Sequence, residues 1–149
     1  MEVQKYKERI LKIPLQMIHS DFHPHNVLMK DGKVSAIIDF ENVRINQQSR
    51  DIAFAIYKFG RQFFVNSDFN GGSLSEASRL KDLFVGSYSK VKPLSDEEIE
   101  LLPILAKDTF IKKLLFVLKG VYEEDNNIWI NDLPKHFVSI DEINYFWPQ

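Results

Sequence analysis

A helix-dominated α+β fold is predicted by three observations in the amino-acid sequence. Two short apolar runs flank the pair Asp31-Gly32 near the start of the chain. From Ser49 onward, apolar residues recur at the three- and four-residue spacing of amphipathic helices. The 149 residues are 44% hydrophobic and 13% aromatic, which suits a single domain over 1–149 with a real core and is too little chain for two ordinary domains. The whole reads as a helix bundle carrying one β-hairpin.

Taken in order, Val3, Tyr6, Ile10 and Leu11 have helical spacing and Pro14 stops the pattern, so residues 3–12 are expected to end a helix of about three turns at most. The apolar stretch Leu15-Gln16-Met17-Ile18 leads into the polar segment His19-Ser20-Asp21-Phe22-His23-Pro24-His25-Asn26. Val27-Leu28-Met29-Lys30 and Lys33-Val34-Ser35-Ala36-Ile37-Ile38 then surround the Asp-Gly pair, a strong short-range hairpin signal. After a polar loop, Ser49 is placed to cap a helix through Ile52, Phe54, Ala55, Ile56, Phe59 and Phe63. The loop 66–73, with Gly71-Gly72, separates it from a second amphipathic stretch holding Leu74, Ala77, Leu80, Phe84 and Tyr88. Ser95-Asp96-Glu97-Glu98 matches a capping box, so a third helix is expected there. Pro103 is expected to kink or restart it, and the run from Ile104 to Val121 continues as a long buried helix ending near Gly120. One more helix is expected after Pro134.

Composition excludes several functions. With 19 basic and 21 acidic residues the chain lacks the strong positive charge of a general nucleic-acid binder. No apolar run approaches the roughly 18 residues a membrane helix needs. The opening Met1-Glu2-Val3-Gln4-Lys5 is charged, with no apolar signal core behind it. Zero cysteines exclude disulfides, thiolate metal sites and cysteine nucleophiles. A soluble, cytoplasmic protein is expected.

Three polar residues point to chemistry: Asp21, Asn26 and Asp39. Pairing Lys30 with Lys33 across the turn sets Asn26 opposite Ile37, so that Asn26, Ile37 and Asp39 share one face of the hairpin. Asn26 and Asp39 then become diagonal neighbours roughly 7–8 Å apart, with Asp21 in the loop at the same end. Two carboxylates and an amide are costly together unless a cation or solvent satisfies them, and oxygen donors of this kind suit a hard cation such as Mg²⁺.

These motifs resemble those of the aminoglycoside phosphotransferase family, which includes choline and homoserine kinases. His19-Ser20-Asp21-Phe22-His23-Pro24-His25-Asn26 has the form H-x-D-x-x-x-x-N, Ile38-Asp39-Phe40-Glu41 stands where protein kinases carry D-F-G, and Arg50-Asp51-Ile52-Ala53 follows. The motifs cover residues 18–55, and the helical remainder fits the C-terminal lobe of the protein-kinase-like fold, with the hairpin carrying the metal site. The resemblance implies ATP and Mg²⁺ as cofactors and a small-molecule hydroxyl as acceptor. It makes Asp21 the catalytic base, Asn26 and Asp39 the Mg²⁺ ligands, and His19 and Asp51 supports of the catalytic loop.

Some residues depart from the pattern. Ser20 and His25 stand where glycine is frequent in that family, and no glycine-rich phosphate loop precedes His19. The chain therefore reads as a C-terminal catalytic lobe without the nucleotide-clamping N-terminal lobe. The apolar surface that packs on that lobe is expected to lie exposed near Ile13, Leu15, Met17 and the hairpin, so a homodimer or a partner supplying the missing half is expected. A non-catalytic binding remnant is one alternative. Another is a metal-binding domain built on His19, His23 and His25. Glu123, Glu124, Asp125, Asp132, Asp141 and Glu142, with Trp129 and Trp147, offer a receptor for a cationic amine, set against a solvated charged face with ordinary core aromatics. Lys90, Lys92, Lys112 and Lys113 read as solvated helix ends, and the Phe-rich stretch from Phe54 as core.

Overall fold

A computed structural model describes residues 5–66, 74–124 and 127–147. In chain order the elements are α1 (Lys7–Lys12), β1 (Leu15–Ile18), a 3-10 turn (Pro24–Asn26), β2 (Val27–Lys30), β3 (Lys33–Ile37), a second 3-10 turn (Phe40–Asn42), β4 (Arg44–Gln47), α2 (Ser49–Asn66), α3 (Leu74–Ser89), α4 (Asp96–Glu123), a third 3-10 segment (Asn127–Asp132) and α5 (Leu133–Phe146). The fold is a helix-dominated α+β arrangement with small sheets. No described helix is long and apolar enough to cross a membrane.

The hairpin forms where the sequence places it. Asp31 and Gly32 both have positive φ, 50° and 72°, the conformation of a type I′ turn, and Lys30 pairs with Lys33. Its register then departs from the expectation. Met29 pairs with Val34 but Leu28 pairs with Ala36, so Ser35 is an extra residue in β3, and its hydroxyl donates to the Leu28 carbonyl at 3.1 Å. The bulge moves Asn26 opposite Ile38 instead of Ile37, with the Ile38 N–H donating to the Asn26 carbonyl at 3.0 Å.

A second two-stranded sheet corrects the single-hairpin reading. Residues 44–47, expected as polar loop, form β4 and pair antiparallel with β1, Met17 facing Ile45 and Leu15 facing Gln47. Met17, Ile45 and Leu15 are exposed on this ribbon, while Ile13 is buried in the core, contrary to its expected place on the open face.

The helices pack α2 against α4, α4 against α5 and α3 against α2 and α5. Their seam is aromatic: Phe54 stacks on Phe110 with centroids 5.5 Å apart, and Tyr57 meets Phe110 edge-on at 4.8 Å. Phe54, Tyr57, Leu101, Leu102, Leu105, Phe110 and Ile143 are fully buried, each contributing roughly 1.5–3 kcal/mol by leaving water. The capping box is present at the start of α4: Ser95 accepts from the Glu98 N–H, and Glu98 accepts from the Ser95 N–H at 3.0 Å.

Ser49 does not cap α2 but lies inside it, fully buried, and its hydroxyl donates to Glu98 Oε1 at 2.6 Å. Pro103 does not break α4, which runs on to Glu123. The proline withdraws one hydrogen bond from the Ile99 carbonyl, and Ile99 is exposed, so water can serve that oxygen instead. The expected loop around Gly71-Gly72 lies outside the described residues.

Candidate active site

The segment between β1 and β2 is pinned from beneath by the first turn of α2. The Asp51 carboxylate accepts the backbone N–H of His19 at 2.6 Å and of Ser20 at 2.8 Å. Burial pushes the Asp51 carboxyl up, and the two amides only partly oppose the shift. Ser20 has φ 69°, a left-handed conformation natural to glycine, and its hydroxyl accepts from Arg44 Nε at 3.0 Å.

His19 is buried, with Nε2 2.9 Å from the Ile38 carbonyl, so the proton belongs on Nε2 because a carbonyl only accepts. Its Nδ1 is buried with no partner. The ring lies against Phe40 at 4.9 Å and Phe22 at 6.0 Å. His19 thereby joins the loop to the strand that leads to Asp39. Asn26 does the same from the other side: its side-chain amide donates to the Asp21 carbonyl at 2.9 Å, and its own carbonyl receives Ile38. Asn26 is buried, whereas Asp39 is exposed, with φ 67° and ψ 59°. The structure thus places Asn26 beside the entry to Asp39 through Ile38 and in contact with Asp21, and Asp21 itself faces an open space.

That space is a cavity of about 900 Å³, lined by Asp21 and His23 from the loop, Phe54, Lys58 and Arg61 from α2, Phe110, Lys113 and Phe116 from α4, and Lys135 and His136 from α5. Neither Asn26 nor Asp39 lines it. Lys113 Nζ donates to Asp21 Oδ1 at 2.6 Å, and His23 Nε2 stands 3.2 Å from Oδ2. His23 Nδ1 accepts from the His25 N–H at 3.3 Å, which leaves the proton on Nε2, aimed at Asp21. Burial alone would raise the Asp21 carboxyl, but the hydrogen bond and charge of Lys113, with His23 and Lys58, outweigh it and hold Asp21 below the usual carboxylate range. Burial pushes His23 down, more than Asp21 pulls it up.

The cavity wall is cationic, seven lysines and arginines against the three carboxylates Asp21, Glu41 and Asp51. Arg50 and Lys112 both pair with Asp108, at 2.5 and 2.7 Å, and Arg61 pairs with Glu142 at 2.7 Å. Lys113 is therefore no solvated helix end. It lies in register with Thr109 and Phe116 on one face of α4, as Lys58 does with Phe54 and Arg61 on α2, and all six line the cavity. The only sequence signal for these lysines is that shared face, because a charged residue on a helix ordinarily means solvent.

Among the described residues the acidic receptor is not assembled. Glu142 is taken by Arg61 and by the Tyr57 hydroxyl at 2.5 Å, Glu124 lies near Lys119, Glu123 and Asp141 are exposed, and Trp147 packs on Phe146. Asp125 and the side chains of Trp129 and Asp132 lie outside the described residues. Among the described residues no three His, Cys, Asp or Glu side chains gather as a metal cluster, and His19 is turned to Ile38, away from any site shared with His23 and His25.

The sequence model of the phosphotransferase enzyme family matches residues 3–80. A homoserine kinase from Gluconacetobacter diazotrophicus is 32% identical over 119 residues, covering 80% of this chain and 32% of the relative. One from Acidiphilium cryptum is 29% identical over 136 residues, 91% of this chain and 37% of the relative. One from Neisseria meningitidis is 36% identical over 91 residues, 61% of this chain and 27% of the relative. The chain spans about a third of the length of the curated relatives it matches.

Proposed function

The chain belongs to the phosphotransferase enzyme family, and from that premise we propose that it is the C-terminal catalytic lobe of a small-molecule kinase, transferring the γ-phosphoryl group of ATP to a hydroxyl. The observation that carries this reading is Asp21, an ionised carboxylate on the wall of a cavity large enough for a small acceptor, in a loop held by Asp51 and Asn26. Phosphoryl transfer asks a protein chiefly for positioning and charge neutralisation. Asp21 orients the acceptor hydroxyl and takes its proton as that oxygen bonds to the γ-phosphorus and the bond from phosphorus to the bridging oxygen of the leaving ADP breaks. Asp51 and His19 act through the loop and touch no substrate.

Asn26 and Asp39 suit a magnesium ion. The Asn26 nitrogen is spent on the Asp21 carbonyl, which leaves its side-chain oxygen as the donor, and the exposed Asp39 carboxylate is the second oxygen ligand. When bound, Mg²⁺ neutralises charge on the phosphates. Of aminoglycoside-, choline- and homoserine-like acceptors, the names of the relatives support the homoserine type. The apolar face of Leu15, Met17, Ile45 and the hairpin residues Met29 and Val34 is exposed, and in this reading it is covered by a second copy or by a nucleotide-clamping lobe, in a cytoplasmic enzyme.

The test is transfer of the γ-phosphoryl group to L-homoserine, choline and an aminoglycoside by the 149-residue chain. Transfer that Asp21→Asn cuts about 10²- to 10⁴-fold is the expected result. Transfer that survives the substitution overturns the reading.

A further inference from the structure

Resting on Asp21 as the base, we infer that Lys113 and Lys58 form the specificity device of this site: the acceptor enters by an anionic group, a carboxylate, which takes Lys113 away from Asp21 and so releases the base.

Both Asp21 oxygens are engaged. The Lys113 ammonium sits on Oδ1 from the cavity side at 2.6 Å, and His23 covers Oδ2 at 3.2 Å. A hydroxyl reaching Asp21 must displace one of them. Lys113 is the exchangeable one, because a lysine on a flexible stem keeps three rotatable donors, whereas His23 is fixed by its own bond from His25.

Lys58 supplies the reason for an anion. Its ammonium lines the same cavity and lies 5.6 Å from the Phe54 ring centroid and 5.7 Å from that of Phe110, and the carboxylate that attracts it is Asp21, already paired with Lys113. Lys113 Nζ stands over the same Phe54 ring at 4.4 Å. Two ammonium groups over one aromatic ring, sharing the Asp21 carboxylate, make a site short of negative charge. The half-buried setting and the neighbouring Lys113 disfavour the Lys58 cation, in that order. A two-oxygen anion bridging the lysines corrects the imbalance. The arginines nearby do not compete, since Arg61 is held by Glu142 and Arg50 by Asp108.

The anion is assigned to the acceptor: Lys58 and Lys113 line the cavity together with Asp21, whereas Asn26 and Asp39, the residues proposed for the metal, are not among its lining residues. The exchange alters hydrogen bonds only: Lys113 passes from Asp21 to the incoming carboxylate, and no covalent bond changes. A neutral or cationic alcohol leaves Lys113 in place and the base capped.

Calorimetric titration of the 149-residue chain without nucleotide tests this separately from phosphoryl transfer. The probes are L-homoserine, its uncharged carboxamide and inorganic phosphate. L-homoserine is expected to bind at least tenfold more tightly than the carboxamide. Lys58→Met is expected to weaken L-homoserine about 10- to 100-fold, with little effect on the carboxamide, and Lys58→Arg to restore much of the loss. Thermal melting of both variants separates a lost contact from a lost fold. Equal binding of L-homoserine and the carboxamide, undiminished binding by a folded Lys58→Met, or Lys58-dependent capture of phosphate without L-homoserine would each overturn the inference. A preserved charge preference in a chain whose phosphoryl transfer survives Asp21→Asn would instead fail the kinase reading and leave only the anion site standing.

Discussion

Asp51 holds Ser20 in a left-handed backbone conformation: its carboxylate accepts the Ser20 N–H at 2.8 Å while Ser20 sits at φ 69°. The resemblance marks this position as one where glycine is frequent, and the backbone angle supplies the physical reason. A non-glycine residue at this φ costs roughly 1–2 kcal/mol, and here the Asp51 bonds and the contact with Arg44 offset it.

Ser20→Gly is therefore expected to raise stability by about 1 kcal/mol, less the exposed hydrogen bond to Arg44. Asp51→Asn turns one acceptor into a donor facing a backbone N–H, and is expected to cost about 2–3 kcal/mol. Urea unfolding of both variants checks the pair. A destabilised Ser20→Gly beside an unaffected Asp51→Asn would contradict the anchoring.

Glu98 joins the start of α2 to the start of α4, accepting from Gln48 Nε2 at 2.6 Å, from the Ser49 hydroxyl at 2.6 Å and from Ser95. Burial raises its carboxyl, but these bonds outweigh burial and hold it below the ordinary glutamate value of 4.5. A carboxyl lowered by folding contributes stability that is full above its unfolded value and is lost as pH falls through the folded one. Wild type is expected to exceed Glu98→Gln by about 1–3 kcal/mol at pH 7, with the difference shrinking below about pH 4.5. Chemical unfolding at pH 7, 5 and 3.5 measures it, and a difference independent of pH would argue against the network.

Gly60 lies on α2 where α5 crosses it. A Cβ there would collide with the Phe146 ring, whereas a Cβ at Gly86 on α3 meets nothing within 4 Å. Gly60→Ala is expected to cost about 1–3 kcal/mol through overpacking, despite the better helix propensity of alanine. Gly86→Ala is expected to gain up to about 1 kcal/mol. Melting temperatures moving in opposite directions are the signature, and a stabilised Gly60→Ala would disprove the close approach.

The exposed ribbon face makes a prediction about association. Met17 is 70% exposed and faces Ile45, itself 63% exposed. Sedimentation of the chain at tens of micromolar is expected to show a dimer that Met17→Glu converts to monomer. A wild-type monomer would mean that this face is not used for self-association.

What was legible in the sequence was local. The Asp31-Gly32 turn and the Ser95–Glu98 capping box depend on residues within one turn of each other, and both formed as read. The β1–β4 pairing was hidden because Arg44-Ile45-Asn46-Gln47 carries a single apolar residue and its partner lies about 30 residues earlier. The bulge at Ser35 left no mark in the pattern, and it alone moved Asn26 from Ile37 to Ile38. In the candidate site, the loop motifs were readable through resemblance. The lysines were not: Lys58 and Lys113 reach Asp21's cavity only once α2 and α4 are packed, and helical spacing says nothing about which neighbour a charged face will meet.

The central claim is that Asp39 and Asn26 hold the metal-bound nucleotide beside Asp21. Calorimetric titration of Mg²⁺·ATP into the chain, with Asp39→Asn as comparison, tests it most directly. Saturable binding that requires Mg²⁺ and that Asp39→Asn weakens at least tenfold is expected. Binding of equal strength in the two proteins would contradict it.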